Sequence, residues 1–356
     1  MKGPAGLAQR VQRWQLTHGR QGLPWQGSRD PYRVWLSEVM LQQTQVATVL
    51  PYYARFLHRF PDVQALAQAP LDDVLALWSG LGYYSRARNL HRCAQVVVQQ
   101  HAGHFPDHLE GLEKLPGIGR STAAAIAVFC FGRREAILDG NVKRVLSRAL
   151  GFAGDLAAAA PVQALWALAH ELLPADNVQG YTQGLMDLGA SVCRLRSPGC
   201  AVCPLQEICV AHAQGRQQHY PVKSRRTTRG RRSHALLWLQ WRGRCLLVQR
   251  PERGVWASLW SLPEFVDHHA LNSLTAAWPG QGRWLPVIEH ALTHFDWQLL
   301  PLLWLWPDRR ADPAPQLKSE NFATLPTRWV LPEEALALGL AAPVRRLLET
   351  ECGSVP

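Results

Sequence analysis

The sequence predicts a multi-domain chain: an all-α domain over residues 1–212 with a cysteine-rich loop at 193–209, a basic linker over 213–232, and an α+β domain over 233–356. Three observations carry that expectation. Four cysteines, Cys193, Cys200, Cys203 and Cys209, form a C-x6-C-x2-C-x5-C array with Pro204 directly after the third. Six of the ten residues from Lys223 to Arg232 are basic, marking a solvated connector. Before that stretch apolar residues recur at helical steps, and after it they come in short strand-like runs.

Composition sets the frame. A chain of 356 residues with 47% hydrophobic content can build two cores. Thirty-eight Lys and Arg against 27 Asp and Glu give a net charge of +11, which suits a polyanionic partner, either nucleic acid or an acidic membrane surface. Membrane spanning is set aside, because the most apolar run, Leu299–Trp306, is interrupted by Pro301 and falls far short of the ~20 residues a bilayer helix needs. No secretory signal opens the chain, so a cytoplasmic protein facing nucleic acid is expected.

Taken in order, Asp30-Pro31 is a helix cap followed by proline at the first helical position, and apolar residues then recur through Val34, Met40, Leu41 and Val49. Helical stretches follow at 62–78, 85–100, 121–130, 141–150 and 161–173, each set off by Gly or Pro. Past the connector, His234–Trp241 and Arg244–Arg250 are apolar runs split by Arg242-Gly243, as in a β-hairpin. Val287–Trp306 offers two more strands, and 267–277 and 333–350 read as helices.

Two motifs carry chemistry. Four closely spaced thiolates converge on one centre only if it is a metal or an iron–sulfur cluster. The x2 pair alone would suit zinc as well, but zinc sites usually take two short-spaced pairs, so the loose x6 and x5 spans favour a 4Fe-4S cluster. The other cysteines (Cys93, Cys130, Cys245, Cys352) are scattered singly, which argues against a disulfide framework. The second motif, Leu115-Pro116-Gly117-Ile118-Gly119, joins two helical stretches. Gly117 and Gly119 let backbone N–H groups approach a phosphate at a helix N-terminus, gripping a nucleic-acid backbone without reading its sequence.

This combination resembles the helix-hairpin-helix DNA glycosylases with an iron–sulfur cluster, the superfamily of endonuclease III. Within it, Ser37-Glu38-Val39-Met40-Leu41-Gln42-Gln43-Thr44-Gln45-Val46, then Gly80-Leu81-Gly82-Tyr83-Tyr84-Ser85-Arg86-Ala87-Arg88-Asn89 and Leu138-Asp139-Gly140-Asn141-Val142-Lys143-Arg144, are similar to the mismatch adenine glycosylases (MutY) over nearly all of 20–212. The resemblance implies removal of adenine mispaired with 8-oxoguanine or guanine in double-stranded DNA, by a monomer of the cytoplasm and nucleoid carrying a 4Fe-4S cluster.

Breaking the bond between a purine and deoxyribose builds positive charge on the sugar and negative charge on the base, so a proton donor and a carboxylate divide the task. Glu38 lies in an apolar helical stretch, where burial would raise its pKa and keep it protonated. The resemblance implies that Glu38 protonates adenine N7 and that Asp139 stabilises, or transiently bonds, the oxocarbenium-like sugar. Asp139 also reads as the cap of the helix Val142–Leu150. Lys143 and Arg144 near that helix start would suit phosphate contact. By resemblance, Gln43 and Tyr83 wedge into the duplex, and Trp25, Leu41 and Gln183, with Ser121 and Asn141, form the adenine pocket. Bifunctional relatives carry a lysine where this chain has Ser121, so base removal without strand cutting is implied. A glycosylase-lyase for oxidised pyrimidines is thereby disfavoured, and a non-catalytic damage sensor is the reading from another class.

Residues 233–356 resemble the Nudix-like domain of the same family. Trp256–Phe265 stands where true Nudix hydrolases begin their metal-binding helix, but no REx2E-type glutamate cluster follows. The family's Phe-Ser-His recognition loop appears as Leu292-Thr293-His294, implying that Thr293 and His294 read 8-oxoguanine.

Overall fold

The computed structural model describes residues 6–224, 229–313 and 324–352. The chain divides into two compact units, Met1–Ala67 with Arg92–Arg226, and Gln68–His91 with Thr227–Pro356. Among the described residues no helix is long and apolar enough to cross a membrane.

The helices run α1 (Leu7–His18), α2 (Pro31–Leu41), α3 (Val46–Arg59), α4 (Val63–Gln68), α5 (Leu71–Trp78), α6 (Ser85–His101), α7 (Leu109–Glu113), α8 (Arg120–Phe131), α9 (Gly140–Leu150), α10 (Ala159–Glu171), α11 (Val178–Ser191) and α12 (Val210–Ala213). Helix α2 begins as its sequence dictates, with Pro31 at the first turn and the Asp30 carboxylate accepting from Tyr32 N at 2.9 Å. The apolar periodicity that ran on to Val49 does not make one helix. Gln42–Gln45 offers nothing to bury, and Gln43 takes φ 57°, a left-handed conformation no α-helix can contain, so Val49 belongs to α3. The expected helix 62–78 is likewise split, at Pro70. In the core of the first unit, Leu7 and Val11 of α1, Val145 and Leu146 of α9, Leu165 of α10 and Leu185 and Leu188 of α11 interlock. Deleting a leucine side chain from such a site costs about 2–5 kcal/mol.

Among the described residues the second unit holds an eight-stranded mixed sheet, β1 (Gly230–Trp241), β2 (Arg244–Gln249), β3 (Trp260–Ser261), β4 (Glu264–Phe265), β5 (Gln281–Trp284), β6 (Ile288–Ala291), β7 (Phe295–Leu305) and β8 (Thr327–Val330), with α13 (His268–Thr275), α14 (Pro332–Leu336) and α15 (Ala342–Cys352). The expected hairpin is present, pairing Trp241 with Arg244 and Gln240 with Cys245. The centre of the sheet is a parallel pair, β1 with β7, running from Gly230↔Phe295 to Gln240↔Leu305. Ala235–Leu239 is buried throughout, as a strand covered on both faces requires. Pro301 is tolerated inside β7 because β6 pairs with 296–299 and β5 with 302–305, which leaves no antiparallel partner needing its missing N–H.

Two stretches near the expected boundaries pack as follows. Residues 68–91, expected in the helical domain, cluster by contacts with the second unit. Of the expected linker 213–232, the first part folds onto the first unit, where Leu156 N donates to Val222 O at 2.9 Å and Ser224 N to Asp155 at 3.1 Å, and Gly230–Arg232 already belongs to β1. Arg225–Thr228 of that stretch lie outside the described residues.

Candidate active site and cysteine loop

A cavity of about 390 Å³ opens in the first unit, lined by the segment Arg20–Arg29, by Val34, Ser37, Glu38 and Leu41 of α2, Phe129 of α8, and Gln179, Gln183 and Met186 of α11. Its size is that of a small-ligand site. Trp25, Leu41 and Gln183, expected in the adenine pocket, line it together with Glu38. Trp25 is 9% exposed and packs edge-on against Tyr53 with ring centroids 5.2 Å apart.

Glu38 faces this cavity and is otherwise enclosed by protein. Burial is the main cause that pushes its carboxyl up to about 7, the nearby Asp139 raises it further, and Arg20 pulls it back. Asp139 caps α9, its Oδ1 accepting from Val142 N at 2.7 Å. Burial raises its pKa too, while the cap hydrogen bonds from Val142 and Asn141 and the charges of Arg144 and Lys143 oppose the rise. For Asp139 cap N–H donors and two cations oppose the rise, whereas for Glu38 only Arg20 does, so of the two carboxyls Glu38 is the one placed to hold a proton at neutral pH.

Ser121 and Asn141 do not line the cavity. Ser121 Oγ accepts from Leu138 N at 3.2 Å, bracing the backbone that leads into Asp139, and Asn141 Oδ1 accepts from Arg144 Nη2 at 2.8 Å. The expectation for Arg144 also fails: its guanidinium is turned inward, donating to Cys193 O at 2.7 Å and Gly189 O at 2.6 Å. Lys143 is half-buried at the start of α9.

Sequence reasoning missed Arg20 and Asp187. Asp187 on α11 is 1% exposed, and its carboxylate accepts from Arg20 N at 2.9 Å, Arg20 Nε at 2.6 Å and Gln183 Nε2 at 2.9 Å. A carboxylate only accepts, so Gln183 must turn its nitrogen toward Asp187, leaving Oε1 as the atom that can accept from a ligand. An aspartate amid the apolar residues of Met186-Asp187-Leu188 was the available signal, since buried charge is paired.

The hairpin between α7 and α8 places Gly117 at φ 76°, a conformation that favours glycine, and Gly119 caps α8 with no side chain over the helix N-terminus. Both glycines are exposed, while Leu115 and Ile118 anchor the turn in the core. Gln43 and Tyr83 are exposed residues at positive φ, 57° and 46°. Such backbone is uncommon outside glycine and clusters at functional sites.

The four cysteines of the loop line one small cavity with Arg148, Gln206, His212 and Gln217. Among the described residues no three His, Cys, Asp or Glu side chains gather tightly enough to hold a single metal ion. All four thiols are half-buried and unbridged, and burial, with the charges of the other three, pushes Cys203 up to about 12. Four thiolates can share this space only around a positively charged centre. Donors to sulfur are in place: Arg148 Nη1 lies 3.4 Å from Cys193 Sγ and Gln217 Nε2 3.7 Å from Cys200 Sγ. Arg148, 2% exposed, also donates to the carbonyls of Arg194, Leu195 and Gln217, fixing the loop's path.

In the second unit Thr293 and His294 occupy the exposed turn between β6 and β7. The turn is held by Leu292 N donating to Phe295 O at 2.9 Å, Gly230 N to His294 O at 3.2 Å and Arg229 Nη2 to Leu292 O at 2.7 Å. Behind it Trp256 stacks on Trp297, with centroids 4.6 Å apart and planes 10° from parallel.

Comparison with known proteins matches the architecture in both units. The family model of the HhH-GPD superfamily base excision DNA repair proteins covers residues 36–167, and that of the NUDIX domain covers 234–350. The chain is 35% identical over 346 residues to the adenine DNA glycosylase of Buchnera aphidicola subsp. Acyrthosiphon pisum (strain APS), covering 96% of this chain and 97% of the relative. It is 36% identical over 341 residues to the adenine DNA glycosylase of Homo sapiens, covering 77% of this chain and 62% of that protein. Among solved structures, a thermostable thymine-DNA glycosylase superposes with a TM-score of 0.52 at 27% identity, covering 58% of this chain and 95% of the other. A helical hairpin unit with paired buried carboxyls, a four-cysteine loop and a Nudix-like sheet, together with near full-length similarity to the Buchnera protein, place this chain in the adenine DNA glycosylase family.

Proposed function

We propose that the protein hydrolyses the N-glycosidic bond of adenine mispaired with 8-oxoguanine or guanine in duplex DNA and leaves an abasic site. The observation that supports this most is Glu38: a carboxyl facing a cavity of small-ligand size, with its pKa up to about 7 and a capped carboxylate nearby. At neutral pH a large fraction of Glu38 carries a proton to give the leaving base, and Asp139 stabilises the cationic sugar until water reaches the anomeric carbon. Gln183 Oε1 accepts from the adenine amino group, and Trp25 and Leu41 pack on the ring. No amine stands at Ser121, so no Schiff base forms there and the strand stays intact.

The remaining residues serve DNA binding. Gly117 and Gly119 offer backbone N–H groups to a phosphate, Lys143 adds a cation, and Gln43 and Tyr83 fill the space the flipped adenine leaves. Thr293 and His294 read the opposite base, because oxidation turns N7 of guanine from an acceptor into a donor and adds a carbonyl. Cys193, Cys200, Cys203 and Cys209 hold a 4Fe-4S cluster, which when bound ties the loop carrying Arg194 and Arg196 into one shape.

Duplexes carrying adenine opposite each base test the reading. Free adenine should be released fastest opposite 8-oxoguanine, with strand breaks only after later alkali. Release of an oxidised pyrimidine instead, or immediate strand cutting by the enzyme, would overturn it. Protein purified without oxygen should hold about four iron and four sulfide per chain, as this cluster type requires. Stoichiometric zinc without iron would remove the cluster from the account.

A further inference from the structure

Residues 68–91 are fastened to the C-terminal sheet and helices by side chains that the base-removal chemistry does not use. Asp72 on α5 accepts from Gln249 Nε2 of β2 at 3.1 Å and from Trp260 Nε1 of β3 at 3.2 Å. Arg345 Nε of α15 donates to Ser79 Oγ at 2.8 Å, the Tyr84 hydroxyl donates to Leu340 O at 3.2 Å, and Arg88 Nη1 donates to Ala257 O at 2.9 Å. Backbone also comes close: a Cβ added to Gly339 would lie 2.8 Å from Leu75 Cβ.

The bonds at Ser79 and Tyr84 bracket a four-residue loop, Gly80-Leu81-Gly82-Tyr83. At its tip Tyr83 is 47% exposed and held at φ 46°, where L side chains rarely settle unless the surroundings impose it. Within the loop, Trp78 Nε1 donates to Gly82 O at 3.2 Å and Arg86 Nη2 to Leu81 O at 3.0 Å. The Thr293-His294 turn belongs to the same compact unit.

We propose that the C-terminal unit sets the position of Tyr83, with Ser79, Tyr84 and Arg345 as positioning residues, so that reading the opposite base and opening the base stack are one coupled event. This rests on the reading of Tyr83 as the inserted side chain. A side chain inserted between bases works only if its backbone does not yield, and this loop is tied at both ends to the unit that carries the recognition turn. Coupling of this kind is reciprocal: whatever stabilises the recognition contact also stabilises the inserted loop, and loosening the loop weakens the recognition.

The test uses the full chain and a Ser79→Ala, Tyr84→Phe double variant, which removes two hydrogen-bonding groups and no apolar bulk, with Gly339→Ala as an independent steric variant. Two quantities are read: the fluorescence rise of 2-aminopurine placed beside the 8-oxoguanine, which reports stack opening, and the ratio of kcat/KM for A:8-oxoguanine over A:G. Both variants should stay folded by thermal denaturation, lose most of the fluorescence rise and lower the ratio, the double variant by about five- to thirty-fold, the effect of losing one or two hydrogen bonds. Equal losses on both substrates, or no change in ratio or fluorescence, overturn the proposal and leave these contacts purely structural. Tyr83→Ala separates the two readings. If it keeps the fluorescence rise, the insertion reading fails and the proposal with it; if it abolishes the rise while the double variant keeps it, the coupling alone fails.

Discussion

The two units hold the groups proposed for base removal and for base reading at opposite extremes of solvation. In the first, Glu38 and Asp139 are carboxyls withdrawn from water, Glu38 acted on by Asp139 and Arg20 and Asp139 by Arg144, Lys143 and helix N–H groups. In the second, Thr293 and His294 stand exposed on a turn whose backbone is fixed from behind. Separating charge across a breaking bond needs groups whose energies burial has shifted by several kcal/mol. Reading a base exchanges hydrogen bonds with water for hydrogen bonds with an edge, a net gain of about 1 kcal/mol each. Damage to the first region should therefore be measured in orders of magnitude and damage to the second in tens.

The largest expected effect follows at once. Glu38→Gln should lower single-turnover adenine release about 10²–10⁴-fold, and Asp139→Asn by about 10²-fold or more, while fluorescence anisotropy shows duplex binding retained. Equal losses of binding would move both residues from catalysis to structure.

Glu38→Gln should also stabilise the fold. The Glu38 carboxyl has a native pKa of about 7, above the unfolded value of about 4.3, so it binds its proton more tightly when folded. Below the unfolded value both states are protonated and nothing is lost. As pH rises from there to about 7 the native state is progressively penalised, by up to about 4 kcal/mol. Denaturant titration should find the variant more stable than the parent at pH 8 and equal to it at pH 4. A constant difference across that range would contradict the burial argument.

A smaller effect is expected in the second unit. Thr293→Ala with His294→Ala should cut the preference for A:8-oxoguanine over A:G by about 1–3 kcal/mol, leaving excision from A:G nearly unchanged. Point variants sharpen the comparison better than deleting residues 219–356, since deletion would strip the partners of Asp72, Ser79, Tyr84 and Arg88. Unchanged preference in the double variant would take lesion reading away from this turn.

Much of this was legible in the sequence because the signals were local. Asp30-Pro31 announced α2, Arg242-Gly243 the hairpin, and the spacing of Cys193 to Cys209 a loop whose four thiols line one small cavity. Glu38 in an apolar helix announced a shifted carboxyl, and its pKa is raised. What failed was what depends on partners distant in the chain. An amphipathic helix such as α5 shows that it covers an apolar surface but not which one, so the grouping of 68–91 with the C-terminal sheet was invisible. Arg144 looked like a phosphate ligand because its sequence does not reveal that Cys193 O and Gly189 O lie within reach. Strand β5 has no buried residue and no alternation to betray it.

The central claim is that burial keeps a proton on Glu38 for the leaving base, and the pH dependence of single-turnover adenine release from A:8-oxoguanine tests it most directly. The rate should be highest on the acid side and fall about tenfold per pH step above about 7, with Glu38→Gln low throughout and without that limb. A rate that holds level to pH 9, or a Glu38→Gln profile that keeps the same limb, would show that another group supplies the proton.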